Sequence, residues 1–263
     1  MKKRFGTRRM IIAVIAVVAI AAVVAVFLSL QIKETVEIGA VLSLSGPSSY
    51  VGEEIRDGML LAVEEINTWG GINGRKIELI IEDSQTDPQV GEEAFKRIEA
   101  THQPLLYVAN GSEVAIALAP LAEENRVLLF GLAATAPELT EPENEWAFRY
   151  FPTAKDEVPP VLSILEELQV ENLGMIYIDD PYGRSFFALT RQEFEKSGGR
   201  VRGEPYDGKT ADFTEQIARL KDAEAIYVVV RSGHLKDIFE QLRQEGYEGF
   251  IVAAGNASVP SVR

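Results

Sequence analysis

From Thr35 onward the chain alternates short apolar runs with longer amphipathic stretches, and that alternation restricts it to a narrow set of folds. A strand that feeds a helix and then a further strand builds βαβ units, whose parallel strands form a sheet covered by the helices. Residues 36–42 read as the first strand. Ile55, Met59, Ala62, Val63 and Ile66 then recur at i, i+4, i+7, i+8 and i+11, which is one face of a helix, and Gly70-Gly71 stops it. Residues 77–81, 105–109 and 127–130 are predicted strands, with helices after Asp87-Pro88 and over 113–124. Residues 141–152 break the rhythm: Pro142 and Pro152 flank Trp146, Phe148, Tyr150 and Phe151, as expected of a segment crossing between two lobes. The alternation then restarts. Val158, Val161, Leu162, Leu165 and Leu168 form a helical stripe, followed by strands at 173–178, 200–204, 225–230 and 250–253. Helices are predicted from about residue 184, over 213–220, and through Leu235, Ile238, Phe239 and Leu242. The expected fold is α/β: two Rossmann-like doubly wound lobes, with a cleft at the C-terminal ends of their strands.

The first 31 residues are a separate object. They carry Lys2, Lys3, Arg4, Arg8 and Arg9 and no acid, and residues 10–30 hold Ser29 as their one polar side chain. At about 1.5 Å per residue such a helix spans the roughly 30 Å hydrocarbon core of a bilayer. The basic segment before it stays cytoplasmic by the positive-inside rule, which puts the rest outside. A cleaved signal peptide is the rival reading, but its apolar region is usually shorter and ends in a small-x-small cleavage site, so a retained anchor is favoured. The domain scheme is therefore a basic segment (1–9), an anchor or signal segment (10–31), lobe 1 (35–150), lobe 2 (151–253) and the start of a second crossover (254–263).

Composition removes several chemistries. The chain has no Cys, which excludes disulfides, thiolate metal sites and a cysteine nucleophile. Two His, at 102 and 234, with no HExxH-type pair, leave little for zinc or for base catalysis. Taking the five N-terminal cations from the 26 Lys and Arg leaves 21 against 40 acids, which argues against nucleic-acid binding. No nucleophile–base pair or Gly-rich phosphate loop is present, so an enzyme is not expected. Asp83 and Asp87 lack the spacing of a calcium loop and read as a solvated strand-to-helix connection. His234 reads as a surface or capping residue, and Trp69 and Trp146 as packing residues.

Ordered motifs run through both lobes. Val36-Glu37-Ile38-Gly39 to Leu44-Ser45-Gly46-Pro47, Ala62-Val63-Glu64-Glu65-Ile66-Asn67 and Gly70-Gly71-Ile72-Asn73-Gly74-Arg75 open the first. Ala133-Ala134-Thr135-Ala136-Pro137-Glu138-Leu139-Thr140, Asp179-Asp180-Pro181-Tyr182-Gly183 and Asp212-Phe213-Thr214 follow. In this order they resemble the leucine/isoleucine/valine-type periplasmic binding proteins, the extracytoplasmic solute receptors of ABC importers with the type I periplasmic-binding-protein fold. The resemblance covers about residues 36–253 and implies a C-terminally truncated chain, with the first-lobe sheet short of strands and an apolar edge uncovered.

The resemblance implies ligand-binding roles for Ser112, Ala133 and Thr135, which match positions holding the ligand's carboxylate and ammonium. Read alone, Ser112 is equally an ordinary helix N-cap. Tyr182 matches the second-lobe aromatic that closes over the ligand; otherwise it is a Tyr lying over a helix start. Arg231 departs from the branched-chain binders, which carry an aromatic there. It either pairs with an anionic group of a different ligand or folds back onto Glu204 or Asp179. Tyr50 is a weaker candidate, next to Val51 where many relatives have an aromatic. Ser45-Gly46-Pro47, Gly70-Gly71 and Asn73-Gly74 read as turns. The implied function is capture of an amino acid or similar small polar solute by hinge closure, with delivery to ABC permease subunits, no cofactor and no metal. The alternative is an extracellular ligand sensor working with a separate receptor.

Overall fold

The computed structural model describes residues 35–254 apart from Pro142, Glu143 and Thr210, together with Val14, Val17, Ala19 and Ile20. Two parallel sheets organise it. The first contains β1 (Thr35–Leu42), β2 (Lys76–Asp83), β3 (Leu106–Asn110), β4 (Leu128–Leu132) and β5 (Ala147–Arg149), in the order β2-β1-β3-β4-β5. The second contains β6 (Asn172–Ile178), β7 (Arg200–Tyr206), β8 (Ala225–Val229) and β9 (Phe250–Ala253), in the order β7-β6-β8-β9. Seven helices connect them among the described residues: α1 (Ser49–Thr68), α2 (Pro88–Thr101), α3 (Ser112–Asn125), α4 (Ala154–Glu167), α5 (Pro181–Lys196), α6 (Thr214–Leu220) and α7 (Leu235–Gln244).

The central strands of the second sheet show why the sequence reads as unbroken apolar runs there. Leu173, Met175, Tyr177, Ala225, Tyr227 and Val229 face one way, onto Ala154, Val158 and Leu165 of α4 and Phe186 and Phe194 of α5. Ile176, Ile178, Ile226 and Val228 face the other way, onto Phe213, Ile217 and Leu220 and onto Leu235, Ile238 and Leu242. A parallel strand with helices on both faces has no polar side to show. At about 25 cal/mol per Å², burying each of the larger of these side chains contributes on the order of 2 kcal/mol.

The first sheet is covered unequally. On one face Val41, Tyr107, Ala109 and Leu129 pack beneath Phe95 and Ile98 of α2 and Val114, Ala115 and Leu118 of α3. On the other, Ala40, Leu42 and Val108 meet Ile55 and Met59 of α1. That helix buries Gly52 alone, while Leu60 and Leu61 are exposed, as are Leu128 of β4 and Phe148 of β5.

Three expectations need correction. Residues 147–149 pair with β4 as a fifth strand, so the segment assigned wholly to a crossing begins inside the first sheet. A three-residue strand is too short to show an alternating pattern. Trp69 is not a packing residue: it is 89% exposed, just past the end of α1. Asp83 does more than face solvent. Its carboxylate accepts from Leu44 N, Ser45 N, Ser45 Oγ and Gln85 N, which pins the turn at Gly46, where φ is 81°. Burial pushes the Asp83 pKa up, but those donors outweigh it and hold the group below its ordinary value. Asp87 caps α2 by accepting from Gln89 N and Val90 N. Among the described residues no helix is long and apolar enough to cross a membrane, and the proposed anchor at 10–30 lies outside them save for Val14, Val17, Ala19 and Ile20.

Candidate binding cleft

Between the two sheets lies a cavity of about 770 Å³, at the carboxyl ends of β1, β3 and β4 from the first lobe and β6 and β8 from the second. Parallel sheets place ligands there because helix N-termini and flexible connections converge at that end. Ser112, Ala133, Thr135, Tyr182, Arg231 and Tyr50 all line this one cavity. Sequence reasoning missed Glu113, Ser48, Glu157, Phe151 and Ser232, which line it as well.

The first-lobe wall is held by a small set of hydrogen bonds. Gly111 is the N-cap of α3, so the N-cap reading of Ser112 is wrong: Ser112 is the first helical residue. Its Oγ accepts from Thr135 N and Ala136 N, both at 3.1 Å, and ties the loop after β4 to the start of α3. Within that loop Ala133 has φ 48°, a left-handed conformation that residues other than Gly seldom adopt. Arg149 reaches back to the carbonyls of Ala134 and Pro137 and to Thr140 Oγ1, closing the loop from the far side. Thr135, only 4% exposed, is left with an Oγ1 that has no partner.

The second-lobe wall starts at Asp180, whose carboxylate caps α5 by accepting from Gly183 N at 2.9 Å. Pro181 begins the helix and Tyr182 follows, edge-on to Phe186 with ring centroids 5.2 Å apart. Burial pushes the Tyr182 hydroxyl pKa well up, so it is a neutral donor and acceptor. Ser232 is 8% exposed, and its Oγ also lacks a partner. His234 occupies the N-cap position of α7 without a side-chain capping bond; its Nδ1 lies 3.2 Å from Tyr206 Oη, and burial lowers its pKa.

Arg231 joins the two walls. Neither fold-back partner expected for it is used: Glu204 pairs with Arg219 and Asp179 with Arg184. Instead Nη1 donates to Glu113 Oε1 at 2.6 Å and to Ser48 Oγ at 3.1 Å, across to the first lobe, while Nη2 donates to Asp180 Oδ2 at 2.9 Å. The Arg231, Glu113 and Asp180 side chains are 12%, 9% and 12% exposed, so this is a buried ion triad rather than a surface pair. Burial alone would lower the pKa of Arg231, but Glu113 and Asp180 outweigh it and the net direction is up. A second contact reinforces the crossing: a methyl group added to Gly233 would lie 2.9 Å from Pro47 O.

Burial, then the charge of Glu113, pushes Asp180 up from 3.8 to about 6 against the opposing pull of Arg231. A carboxyl whose pKa is higher in the fold holds its proton more tightly there. The stability it contributes is full below about 3.9 and is lost as pH rises through about 6. Relative to Asp180→Asn, the unmodified chain is expected to lose on the order of 2 kcal/mol between pH 4 and pH 7.5, by urea unfolding of both proteins at each pH. A difference that does not change with pH would contradict the raised pKa.

The family model described as periplasmic binding protein matches residues 35–261. Leu/Ile/Val-binding protein homolog 7 of Brucella abortus (strain 2308) is 31% identical over 235 residues, covering 84% of this chain and 58% of that protein. The chain thus spans a little over half the length of such relatives. A leucine binding protein, LivK, from Thermotoga maritima MSB8 superposes with a TM-score of 0.80 at 23% identity, over 87% of this chain and 65% of that one. A solute binding protein of an ABC transporter from Rhodopseudomonas palustris BisB5, in complex with 3,4-dihydroxy benzoic acid, gives 0.74 at 21% identity, over 84% and 61%. These two share the fold. Two parallel α/β lobes around one cleft, with a family match over most of the chain, place this protein in the periplasmic binding protein family.

Proposed function

We propose that the chain is the ligand-binding part of an extracytoplasmic solute receptor, which captures an amino acid or similar small polar solute and presents it to the permease of an ABC importer. One observation carries this reading: a single cavity lined from both lobes, by Ser112 and Thr135 on one side and Tyr182 and Ser232 on the other. The work is done by binding and closure, with no covalent step and no cofactor. A solute seated against Ser112, Ala133 and Thr135 gains further contacts from Tyr182 as the lobes meet, and that difference in affinity shifts the population toward the closed form. The match to Leu/Ile/Val-binding relatives supports an amino-acid ligand. The basic and apolar residues 1–31 support attachment to the outer face of the cell membrane.

Two measurements test this. In a thermal-shift screen of the twenty amino acids against the folded chain, at least one is expected to raise the melting temperature, because a ligand that binds only the native state stabilises it by mass action. For that solute, Tyr182→Ala is expected to weaken affinity in calorimetry by ten-fold or more, about 1.4 kcal/mol. Unchanged affinity would remove Tyr182 from the binding surface.

A further inference from the structure

The charges around the cavity are unbalanced in a way that sorts ligands. Among the described residues lining it, Arg231 is the one cation, against Glu54, Glu113 and Glu157. Both Nη atoms of Arg231 are already committed, to Glu113 and Ser48 on one side and to Asp180 on the other. A guanidinium saturated by two carboxylates offers no net charge to an incoming anion. That anion would have to displace Glu113 and leave it buried without its partner.

The other feature that favours anions is also taken. The N-terminus of α3 opens onto the cavity, and the free N–H groups of a helix start attract negative charge. Glu113 sits in that first turn with its carboxylate folded back over Gly111: a methyl group added to Gly111 would lie 3.4 Å from Oε1 and 3.6 Å from Oε2. The protein's own carboxylate stands where a ligand's would be stabilised. What remains open is of opposite character. Glu54 and Glu157 add carboxylates to the lining, and Tyr50, Tyr150 and Phe151 add aromatic rings, whose faces attract cations.

We propose that Glu113 is a specificity-determining residue. By holding Arg231 and covering the start of α3, it makes the cavity accept solutes that carry an ammonium group and reject those whose only charge is a carboxylate. The inference rests on the solute-binding reading above and narrows its ligand class to amines and zwitterions. Simple organic acids fall outside it, unlike the benzoic acid held by the Rhodopseudomonas palustris protein.

Three probes of one carbon skeleton separate the charges: L-leucine, its decarboxylated amine 3-methylbutylamine, and its deaminated acid 4-methylpentanoate. By calorimetry on the full chain at pH 7.5, the amine and the zwitterion are expected to bind at least ten-fold more tightly than the acid. Glu113→Gln frees Arg231 Nη1 from its carboxylate while Nη2 stays on Asp180, and it removes the competing charge, so it is expected to improve affinity for the acid at least ten-fold and to weaken that for the amine. Acid binding to the unmodified chain as tight as amine binding would overturn the charge rule while leaving solute capture intact. Failure of the folded chain to bind any of the three, or any other amino acid, would overturn both. The unmodified chain alone decides between acid and amine, so the proposal remains falsifiable if Glu113→Gln does not fold.

Discussion

Arg231→Ala is expected to lower the free energy of unfolding by about 3 kcal/mol and to part the two lobes. The substitution removes the one cation between Glu113 and Asp180, whose side chains are 9% and 12% exposed. Breaking a buried ion pair by deleting one partner typically costs about 3–5 kcal/mol, because the remaining charge is desolvated and uncompensated. The low end applies here because Glu113 and Asp180 belong to different lobes, so opening the cleft returns both to water. The same reasoning predicts the shape change: small-angle scattering of Arg231→Ala should give a larger radius of gyration than the unmodified chain. A neutral triple variant, Arg231→Met with Glu113→Gln and Asp180→Asn, should recover most of the stability, since no charge is then left unpaired. Unchanged urea midpoint and scattering in Arg231→Ala would show that the triad does not join the lobes.

Gly183→Ala is expected to cost about 3 kcal/mol and to reduce solute affinity at the same time. A Cβ at position 183 would collide with Ile178 O and lie 2.9 Å from the carbonyl carbon of the same residue, where the obstacle is backbone and cannot rotate away. The first turn of α5 must shift off the end of β6, carrying Asp180 and Tyr182 with it. Overpacking of this kind usually costs about 1–3 kcal/mol, and a clash with a main-chain carbonyl lies at its upper end. Differential scanning calorimetry gives the stability loss and titration calorimetry the affinity loss. A variant of unchanged stability would contradict the close approach that explains the Gly of Asp-Pro-Tyr-Gly.

The sequence made the two-lobe architecture legible because parallel strands buried on both faces leave a continuous apolar signal, as at Ala225–Val229. It also placed Ser112, Thr135, Tyr182 and Arg231 at strand ends, and in parallel sheets those ends converge. What it hid was pairing at long range. Glu113 lies 118 residues from Arg231, and nothing local marks one acid among 40 as the partner of that cation. A search for acids at the first turn of a cleft helix, once Arg231 stood out, was the available signal. Ser112 was ambiguous for a related reason: a hydroxyl at a strand-to-helix junction can cap its own helix or bond a distant loop, and here it bonds the backbone of Thr135 and Ala136. Trp69 misled because a large aromatic is ordinarily buried, whereas the end of α1 is fastened to β2 through Asn67 and Ile77 and leaves Trp69 exposed.

The central claim is that one solute is gripped from both lobes at once. Hydrogen exchange read by mass spectrometry, with and without the amino acid giving the largest thermal shift, tests it most directly. The account predicts joint protection of peptides covering 110–114, 132–136, 181–184 and 231–234. Protection confined to one lobe, or absent from all four segments at saturating solute, would contradict it.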